Sequence, residues 1–327
     1  MDKIRWGILA TGSIAHKFAQ GLRFLKDAEI VAVGSRTQEK ADAFGEEWGV
    51  PHRHGSYEEL AADPDVDVIY VATPHPFHCA NSLLCLEEGK AVLCEKPFAV
   101  NAEQGRLVVE AARSRGLFVM EAVWMRFLPA LVRLRELLAE GVIGEPRMVK
   151  ADFCFRIGWN PESRLLAPEL AGGALLDVGT YPINLASMVY GGPPDATASL
   201  SHLGETGVDE QDGIVFRYPG GALAVMACAV RTAMMHDALV AGTEGWIRVH
   251  SPFWRAQALS IGRVDEVKET LELPFRGNGY ECEAAHVMDC LRAGRTESDV
   301  MPLDETLSIL ETLDALRADW GLKYPME

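Results

Sequence analysis

Short apolar runs alternate with helix-like stretches along the N-terminal part of the chain. The apolar runs show little polar alternation, which is typical of parallel strands that are buried on both faces. The stretches between them have helical spacing and predict helices that cover both faces of the sheet. The predicted strands are residues 4–10, 28–35, 67–73, 91–96 and 117–122, and the predicted helices lie near residues 14–25, 38–48, 76–89 and 101–115.

The pattern changes after residue 122. Helices are predicted near residues 127–140, within 172–192, and near 280–294 and 303–321. Strand-like runs joined by short turns, which are typical of antiparallel pairing, occupy residues 213–218, 222–230, 237–242 and 246–250. We therefore predict an α/β protein of two domains. Residues 1–122 form a doubly wound parallel sheet, and residues 123–327 form a second α/β domain with an open, largely antiparallel sheet.

The composition excludes several classes of partner. With 48% hydrophobic and 24% charged residues in 327, the chain is typical of a soluble globular protein. The formal net charge of −16 argues against nucleic acid or an anionic membrane, because both attract a basic face. No run approaches the ~18 apolar residues of a membrane span, and the N-terminus does not read as a signal peptide. Seven cysteines without a CxxC pair indicate reduced thiols, so we expect a cytoplasmic protein.

The stretch WGILATGSIAHKF predicts a strand, a glycine turn and a helix. Against the dinucleotide fingerprint G-x-G-x-x-G, residues 10–15 retain only the central Gly12. That glycine lets the backbone approach a pyrophosphate, while the helix start supplies N–H groups. We therefore predict a dinucleotide site whose residues are Ala10, Thr11, Gly12, Ser13 and Ile14.

The second predicted strand ends in VGSRTQEKA, where an NAD site usually carries Asp or Glu for the ribose hydroxyls. This chain instead offers Ser35 and Arg36, with Lys40 one helical turn later. One hydroxyl and two cations suit a 2′-phosphate, so NADP is predicted in preference to NAD. The alternative is a solvated pair of cations at a helix start.

Several motifs together resemble the Gfo/Idh/MocA oxidoreductases, and within them the branch of dimeric dihydrodiol dehydrogenases and NADP-dependent D-xylose dehydrogenases. The motifs are TPHPFH (73–78), GKAVLCEKP (89–97), GGALLDVGTYP (172–182), ETGVDEQ (205–211) and GNGYECEAAHVMDCLRAG (277–294). The resemblance implies a Rossmann domain followed by a domain whose open sheet often forms a homodimer. The apolar run ALAVMACAV (222–230) either contacts a second subunit in this way or is buried internally.

The resemblance also implies roles for residues near the EKP turn. Lys96, at the carboxyl end of the fifth predicted strand, would face the nicotinamide and the reacting hydroxyl, with Pro97 fixing the turn. Glu95 would orient the lysine or the cofactor, although a solvated ion pair at a strand end is the simpler alternative. Further residues are placed near the cofactor or the substrate mouth: Thr73, His75, His78, Trp124, Arg126 and Trp254.

Asp177 and Tyr181 are four residues apart, a spacing that places two side chains on one face of a helix. Pro182 predicts a kink there. A free tyrosine has a pKa of about 10, which a lysine within ~4–6 Å would lower toward the range of a useful base. We therefore assign Tyr181 as acid/base, Lys96 as its electrostatic partner and substrate ligand, and Asp177 as the anchor of a substrate hydroxyl. Hydride transfer needs no metal, and no metal-ligand spacing is recognised.

These residues predict an NADP-dependent oxidoreductase that acts on a small molecule, either a sugar, such as D-xylose at C1, or a cyclic trans-diol. Reduction of sugar ketones or dicarbonyls is an alternative. So is a dinucleotide-sensing regulatory protein of the same fold, although such a protein would be expected to lose the lysine or the acid/base residue. Non-redox glycoside cleavage with NAD is disfavoured by the missing ribose-binding acid.

Overall fold

The computed structural model describes residues 3–327. The strands and helices follow one another as β1 (Ile4–Leu9), α1 (Ser13–Leu22), β2 (Ala28–Gly34), α2 (Gln38–Trp48), β3 (His52–His54), α3 (Tyr57–Ala61), β4 (Val68–Val71), α4 (His78–Glu87), β5 (Ala91–Glu95), α5 (Ala102–Arg115), β6 (Val119–Ala122), α6 (Pro129–Ala139), β7 (Pro146–Cys154), α7 (Thr180–Tyr190), β8 (Ala196–Leu203), β9 (Asp209–Arg217), β10 (Leu223–Ala229), β11 (Ala238–Gly242), β12 (Trp246–Val249), β13 (Ala258–Arg263), β14 (Glu266–Glu272), α8 (Tyr280–Arg292) and α9 (Leu303–Trp320).

The first of two compact units contains the chain up to Trp124 together with Arg276–Leu307. In the described part of this unit a six-stranded parallel sheet has the order β3-β2-β1-β4-β5-β6. This order is that of a doubly wound sheet, the type that the sequence predicts, and β4 and β5 are buried along their whole length. The strand order reverses between β1 and β4, where ligands bind at the carboxyl ends of the strands.

The second unit contains Met125–Phe275 and Ser308–Glu327. Its eight-stranded sheet, as described within residues 3–327, has the order β14-β13-β12-β11-β7-β10-β9-β8. Neighbouring strands are antiparallel except β7 and β10, which pair in parallel. Helix α7 packs on β7 and β10. The predicted fold class, with its open and largely antiparallel second sheet, is confirmed.

The chain returns to the first unit near its end. The sequence analysis assigned all of residues 123–327 to the second domain, whereas α8 packs against α1. The Asn278 side chain donates to the Lys17 carbonyl at 2.7 Å, and a Cβ on Gly21 would lie 3.0 Å from the Tyr280 Cβ. The apolar stripe of a helix indicates that it is buried but not which sheet it covers, so the sequence did not reveal this return.

Several elements lack the patterns used to predict them. β14 has no apolar periodicity because all but one of its residues are exposed, and β3 is only three residues long. The unpredicted elements are β3, α3, β7, β8, β13 and β14. All seven cysteines are free thiols, six of them buried, and no helix within residues 3–327 is long and apolar enough to cross a membrane.

Glu283 of α8 is completely buried. Neither of its carboxyl oxygens has a hydrogen-bond partner in the part of the chain that the structure describes. Burial raises the pKa of this carboxyl well above its usual value, and the negative charge of Glu95 raises it further. Folding therefore removes Glu283 from water without a compensating hydrogen bond.

We expect the free energy of unfolding to fall less steeply with rising pH in Glu283→Gln than in the unmodified protein. The folded state holds the Glu283 proton more tightly than the unfolded state does. Its stabilising contribution is therefore complete below the ordinary glutamate pKa of about 4.3, and it is lost as pH rises through the higher folded value. Each unit of raised pKa corresponds to about 1.4 kcal/mol in the free energy of unfolding.

Urea unfolding at a series of pH values measures how the free energy of unfolding changes with pH. Glu110→Gln, at an exposed position of α5, controls for the removal of one negative charge. Parallel pH dependences of stability in Glu283→Gln and the unmodified protein would contradict the prediction.

Candidate active site

The turn between β1 and α1 brings backbone N–H groups to the start of a helix. Within the described residues no side chain caps the first turn of α1, and that turn contains no Asp or Glu. A Cβ added to Gly12 would have no atom within 4 Å, so the space beside it is open. The first N–H groups of a helix have no partner within the helix, and they favour a phosphate. Ala10, Thr11, Gly12, Ser13 and Ile14 therefore fit a dinucleotide pyrophosphate.

Ala10 occupies the place of the first fingerprint glycine and has a φ of 86°. A residue with a side chain carries a strain of about 1–2 kcal/mol in this region, which glycine avoids. The Ala10 N–H donates to the Gly34 carbonyl at 2.9 Å, which joins the turn to the end of β2. The turn thus forms although alanine replaces the first glycine of the fingerprint.

The end of β2 presents positive charge beside this turn. The Ser35 side chain is buried, and its hydroxyl lies 3.4 Å from that of Thr11. Arg36 and Lys40 are exposed, and neither forms an ion pair within residues 3–327. Burial raises the pKa of the Tyr57 phenol, and the nearby charge of Arg36 opposes that rise. Two cations therefore remain available to a ligand at this end of the sheet.

The backbone around Lys96 is fixed by buried groups at the carboxyl edge of the same sheet. Glu95 is buried and accepts hydrogen bonds from the Tyr70 hydroxyl and, at 3.2 Å, from the Lys96 N–H. The Lys96–Pro97 peptide bond is cis, and the Lys96 side chain is half-buried. Glu95 thus holds the backbone of the residue that the sequence predicts to face the substrate.

His78 also holds this turn. Its ring is completely buried, with Nδ1 2.7 Å from the Pro97 carbonyl oxygen and Nε2 2.7 Å from that of Thr73. Burial lowers the pKa of the imidazole. Both ring nitrogens therefore lie against protein carbonyl oxygens, and the ring joins the end of β4 to the EKP turn. The predicted contact between His78 and the cofactor stays a prediction.

Trp124 and Arg126 are buried, and each is held by contacts within its own unit. The Trp124 ring stacks on Tyr280 with centroids 4.7 Å apart and planes 13° apart. The Arg126 guanidinium donates to the Asn184 carbonyl at 3.2 Å. Their predicted place beside the nicotinamide rests on the resemblance alone. His75 is likewise buried.

Asp177 lies in a π-helical turn, Leu175–Gly179, which runs directly into α7. Tyr181 and Pro182 lie in the first turn of α7. A proline has no N–H, and its ring clashes with the carbonyl four residues earlier, here that of Val178. A wider π-helical turn relieves that clash. The sequence analysis predicted a kink at Pro182, whereas the structure places the irregularity in the turn before it.

Asp177 is buried and paired with a residue that the sequence analysis missed. The Arg164 guanidinium donates to Asp177 Oδ1 at 2.8 Å, and its side chain is half-exposed. Arg164 lies 13 residues earlier in an irregular segment, where no periodicity relates it to the helix. A carboxylate held by a guanidinium accepts hydrogen bonds and cannot donate them, which suits the binding of a hydroxyl.

Tyr181 is part of an aromatic wall within the second unit, made of Phe153, Tyr181, His236 and Trp254. The Phe153 and Trp254 rings are stacked with planes 5° apart, and the Tyr181 centroid lies 5.2 Å from Phe153 and 6.3 Å from Trp254. The His236 ring is 4.9 Å from Trp254. The sequence placed Trp254 at the substrate mouth, and the structure brings it beside Tyr181. Phe153 was missed because β7 was not predicted.

A buried carboxyl anchors the π-helical turn. Asp209, completely buried at the start of β9, accepts a hydrogen bond from the Leu175 N–H at 2.5 Å. A Cβ on Gly173, which has a φ of 115°, would lie 2.0 Å from Asp209 Oδ1, so glycine allows this close approach. Burial raises the pKa of Asp209 well above its usual value, and the neighbouring charge of Asp212 adds to the rise. Asp209 therefore positions the segment that carries Asp177.

Comparison with known proteins covers both units. Residues 4–123 match the oxidoreductase family with an NAD-binding Rossmann fold, and residues 131–248 match the GFO/IDH/MocA C-terminal domain. The chain is 40% identical over 335 residues to trans-1,2-dihydrobenzene-1,2-diol dehydrogenase of Mus musculus, and 40% identical over 334 residues to the human protein of that name. Each alignment covers 99% of both chains. The resemblance read from the sequence is confirmed.

Two solved structures share the whole architecture. The aldose-aldose oxidoreductase of Caulobacter crescentus, complexed with glycerol, matches with a TM-score of 0.87 and 26% identity over 98% of each chain. A 3-ketoreductase of Actinomadura kijaniata, in complex with NADP and TDP-benzene, matches with a TM-score of 0.86 and 25% identity over 97% of this chain and 98% of its own.

We expect Asp209→Ala to lower both stability and turnover, while Asp209→Asn keeps most of each. Alanine leaves the buried Leu175 N–H without its acceptor, which costs about 1–3 kcal/mol in the free energy of unfolding. Asparagine retains a carbonyl oxygen of the same shape. Urea unfolding and kcat with an active substrate measure the two effects. Equal behaviour of the two variants would show that Asp209 does not act as the acceptor that anchors this turn.

Proposed function

This chain belongs to the GFO/IDH/MocA family of oxidoreductases, and we propose that it transfers a hydride between NADP and a hydroxyl carbon of a cyclic trans-diol or of a sugar. The observation that carries the proposal is the placement of Tyr181 in an aromatic wall, one helical turn after the ion-paired Asp177. The names of the relatives support the same substrate classes, because they include diol dehydrogenases and an aldose oxidoreductase.

The cofactor proposal rests on charge. Two exposed cations without acidic partners, Arg36 and Lys40, favour the 2′-phosphate of NADP over the plain ribose of NAD. The turn at Gly12 would hold the pyrophosphate. NADP in the structure of the Actinomadura kijaniata ketoreductase supports this choice. When bound, the nicotinamide supplies the acceptor or donor of the hydride.

Three side chains are proposed to act on the substrate. Tyr181 takes the proton from the reacting hydroxyl in the oxidative direction and returns it in the reductive one. Lys96 binds the substrate oxygen and stabilises the negative charge that develops on it. Asp177 accepts a hydrogen bond from the neighbouring hydroxyl, since its carboxylate is held as an acceptor by Arg164.

The aromatic wall supports a ring-shaped substrate. Stacked Phe153 and Trp254 present a flat apolar surface beside the Tyr181 ring. Such a surface packs well against the apolar face of a cyclohexadiene diol, and also against the C–H face of a pyranose such as D-xylose. Both substrates carry adjacent hydroxyls, so the site chemistry admits both.

We also propose that the chain forms a homodimer through the second sheet. Helix α7 packs on this sheet. Val215 and Val225, which are directly paired in β9 and β10, remain 36% and 40% exposed, and Leu200 of the adjoining β8 is 83% exposed. Clustered exposed apolar residues mark interaction surfaces. This supports the interpretation in which the run at 222–230 contacts a second subunit.

We expect the purified protein to reduce NADP, followed at 340 nm, with a cyclic trans-diol or an aldose, and Tyr181→Phe to lower kcat by about 10²–10⁴-fold. The fall reflects loss of the acid/base group, so NADPH binding measured by fluorescence should be unchanged. Tyr190→Phe is the matched control, because it removes another α7 hydroxyl, which donates to the Leu223 carbonyl at 3.0 Å.

Retention of most activity in Tyr181→Phe would remove this residue from the acid/base role. A protein that binds NADPH but oxidises no diol or aldose, and reduces no sugar ketone or dicarbonyl, would instead support the regulatory alternative.

We expect Arg36→Asp to raise the KM for NADP far more than the KM for NAD. The substitution places a carboxylate where the 2′-phosphate would be held, and an acidic side chain there also suits the ribose hydroxyls of NAD. Lys26→Asp makes the same change in net charge at an exposed position of the same unit and serves as the control. Equal changes in both KM values would rule out Arg36 as the 2′-phosphate ligand.

A further inference from the structure

Two imidazoles and one carboxylate converge at the edge strand of the parallel sheet. His52 and His54 are two residues apart on β3, so their side chains lie on one face of the strand. His52 Nδ1 lies 2.7 Å and His54 Nε2 lies 2.9 Å from the same oxygen, Oδ2 of Asp63. The three potential ligand atoms all lie within 4.8 Å of one another. Asp63 is buried, and the two histidines are half-buried.

We propose that His52, His54 and Asp63 form a binding site for a divalent transition-metal ion, of which Zn²⁺ is the most suitable. Two imidazoles and one carboxylate form a donor set that Zn²⁺ accepts readily, with water completing a tetrahedral site. Ligand atoms around such an ion lie about 3.3 Å apart, as follows from metal–ligand distances of about 2.0 Å. The two nitrogen–oxygen separations, 2.7 and 2.9 Å, would therefore need to lengthen by about 0.4–0.6 Å.

The groups behind the three ligands support this assignment. The second oxygen of Asp63, Oδ1, accepts a hydrogen bond from the Asp65 N–H at 2.9 Å, which leaves Oδ2 directed at the histidines. His52 Nε2 lies 4.0 Å from the Asp65 carboxylate, a group of the kind that orients metal-bound imidazoles.

The surrounding charges favour a cation. The carboxylates near the site are Asp63, Asp65 and Asp67, and Arg5 pairs with the last two. The Lys90 ammonium donates to the backbone carbonyls of Asp63 and Val66, at 2.5 and 3.0 Å. Three negative charges against these two positive charges leave a net negative site.

The site is distinct from the residues proposed to carry out hydride transfer. One backbone hydrogen bond, from the Ser35 N–H to the His54 carbonyl at 3.1 Å, joins β3 to the predicted cofactor residues. No metal site is predicted from the sequence, and an H-x-H pair followed by one aspartate nine residues later is not a recognised ligand spacing. Only the folded arrangement of β3 and the segment after α3 brings the three residues together.

The test is titration of Zn²⁺ into chelator-treated protein that carries no polyhistidine tag, followed by calorimetry, with the melting temperature as a second readout. We expect one Zn²⁺ per chain and a higher melting temperature when it is bound. His52→Ala and His54→Ala should each weaken binding by well over tenfold, because even loss of a group that only orients a metal ligand costs about 10–100-fold. His202→Ala, which removes an exposed imidazole elsewhere, should bind Zn²⁺ as the unmodified protein does.

Absence of Zn²⁺ binding in the unmodified protein would overturn the proposal. So would binding that survives in His54→Ala, or that His202→Ala weakens to the same degree. Asp63 is avoided as the primary test because its burial makes a folding defect hard to separate from loss of a ligand. Neither arm depends on catalytic activity, so failure of this proposal and failure of the proposed function are distinguishable.

Discussion

The conformation of the chain at Lys96 depends on polar groups that are buried at the carboxyl end of the parallel sheet. Glu95 holds the Lys96 N–H and the Tyr70 hydroxyl, and His78 bridges the carbonyls of Thr73 and Pro97. A lysine side chain is long and flexible, so its ammonium is directed only if the backbone that carries it is fixed. The ordered contacts around the EKP turn therefore precede any chemistry that Lys96 performs.

Each unit also contains a buried carboxyl with a raised pKa. The two carboxyls differ in whether a hydrogen bond compensates for their loss of hydration. Asp209 accepts the Leu175 N–H and so fixes the turn that carries Asp177. Glu283 has no hydrogen-bond partner within the described chain, although it lies near enough to Glu95 for their charges to interact. Unpartnered carboxyls and the strained φ of Ala10 both reduce stability. Natural proteins accept such local departures mainly where function requires them.

The sequence predicted what depends on local periodicity and contiguous motifs. The five predicted parallel strands, the turn at Gly12 and the position of Lys96 after β5 all have such signals, and they lie where expected. Other features depend on contacts between distant parts of the chain, so no local pattern predicts them. They are the pairing of Asp177 with Arg164, the π-helical turn before Pro182 and the buried ring of His78. No apolar pattern predicted β14, because all but one of its residues are exposed. The return of α8 to the first unit was not predicted either, because an amphipathic pattern does not show which sheet a helix packs against.

The predicted cofactor site and the aromatic wall of the proposed substrate site differ in the same way, in that a local sequence signal describes the first but not the second. Residues for the cofactor lie within one turn and one strand end, so a short motif describes them, whereas the aromatic wall draws Phe153, Tyr181 and Trp254 from three distant segments. Its shape is therefore set by the packing of β7, α7 and the turn before β13. A short motif can therefore indicate a dinucleotide site, whereas the residues around Tyr181 become visible only in the folded chain.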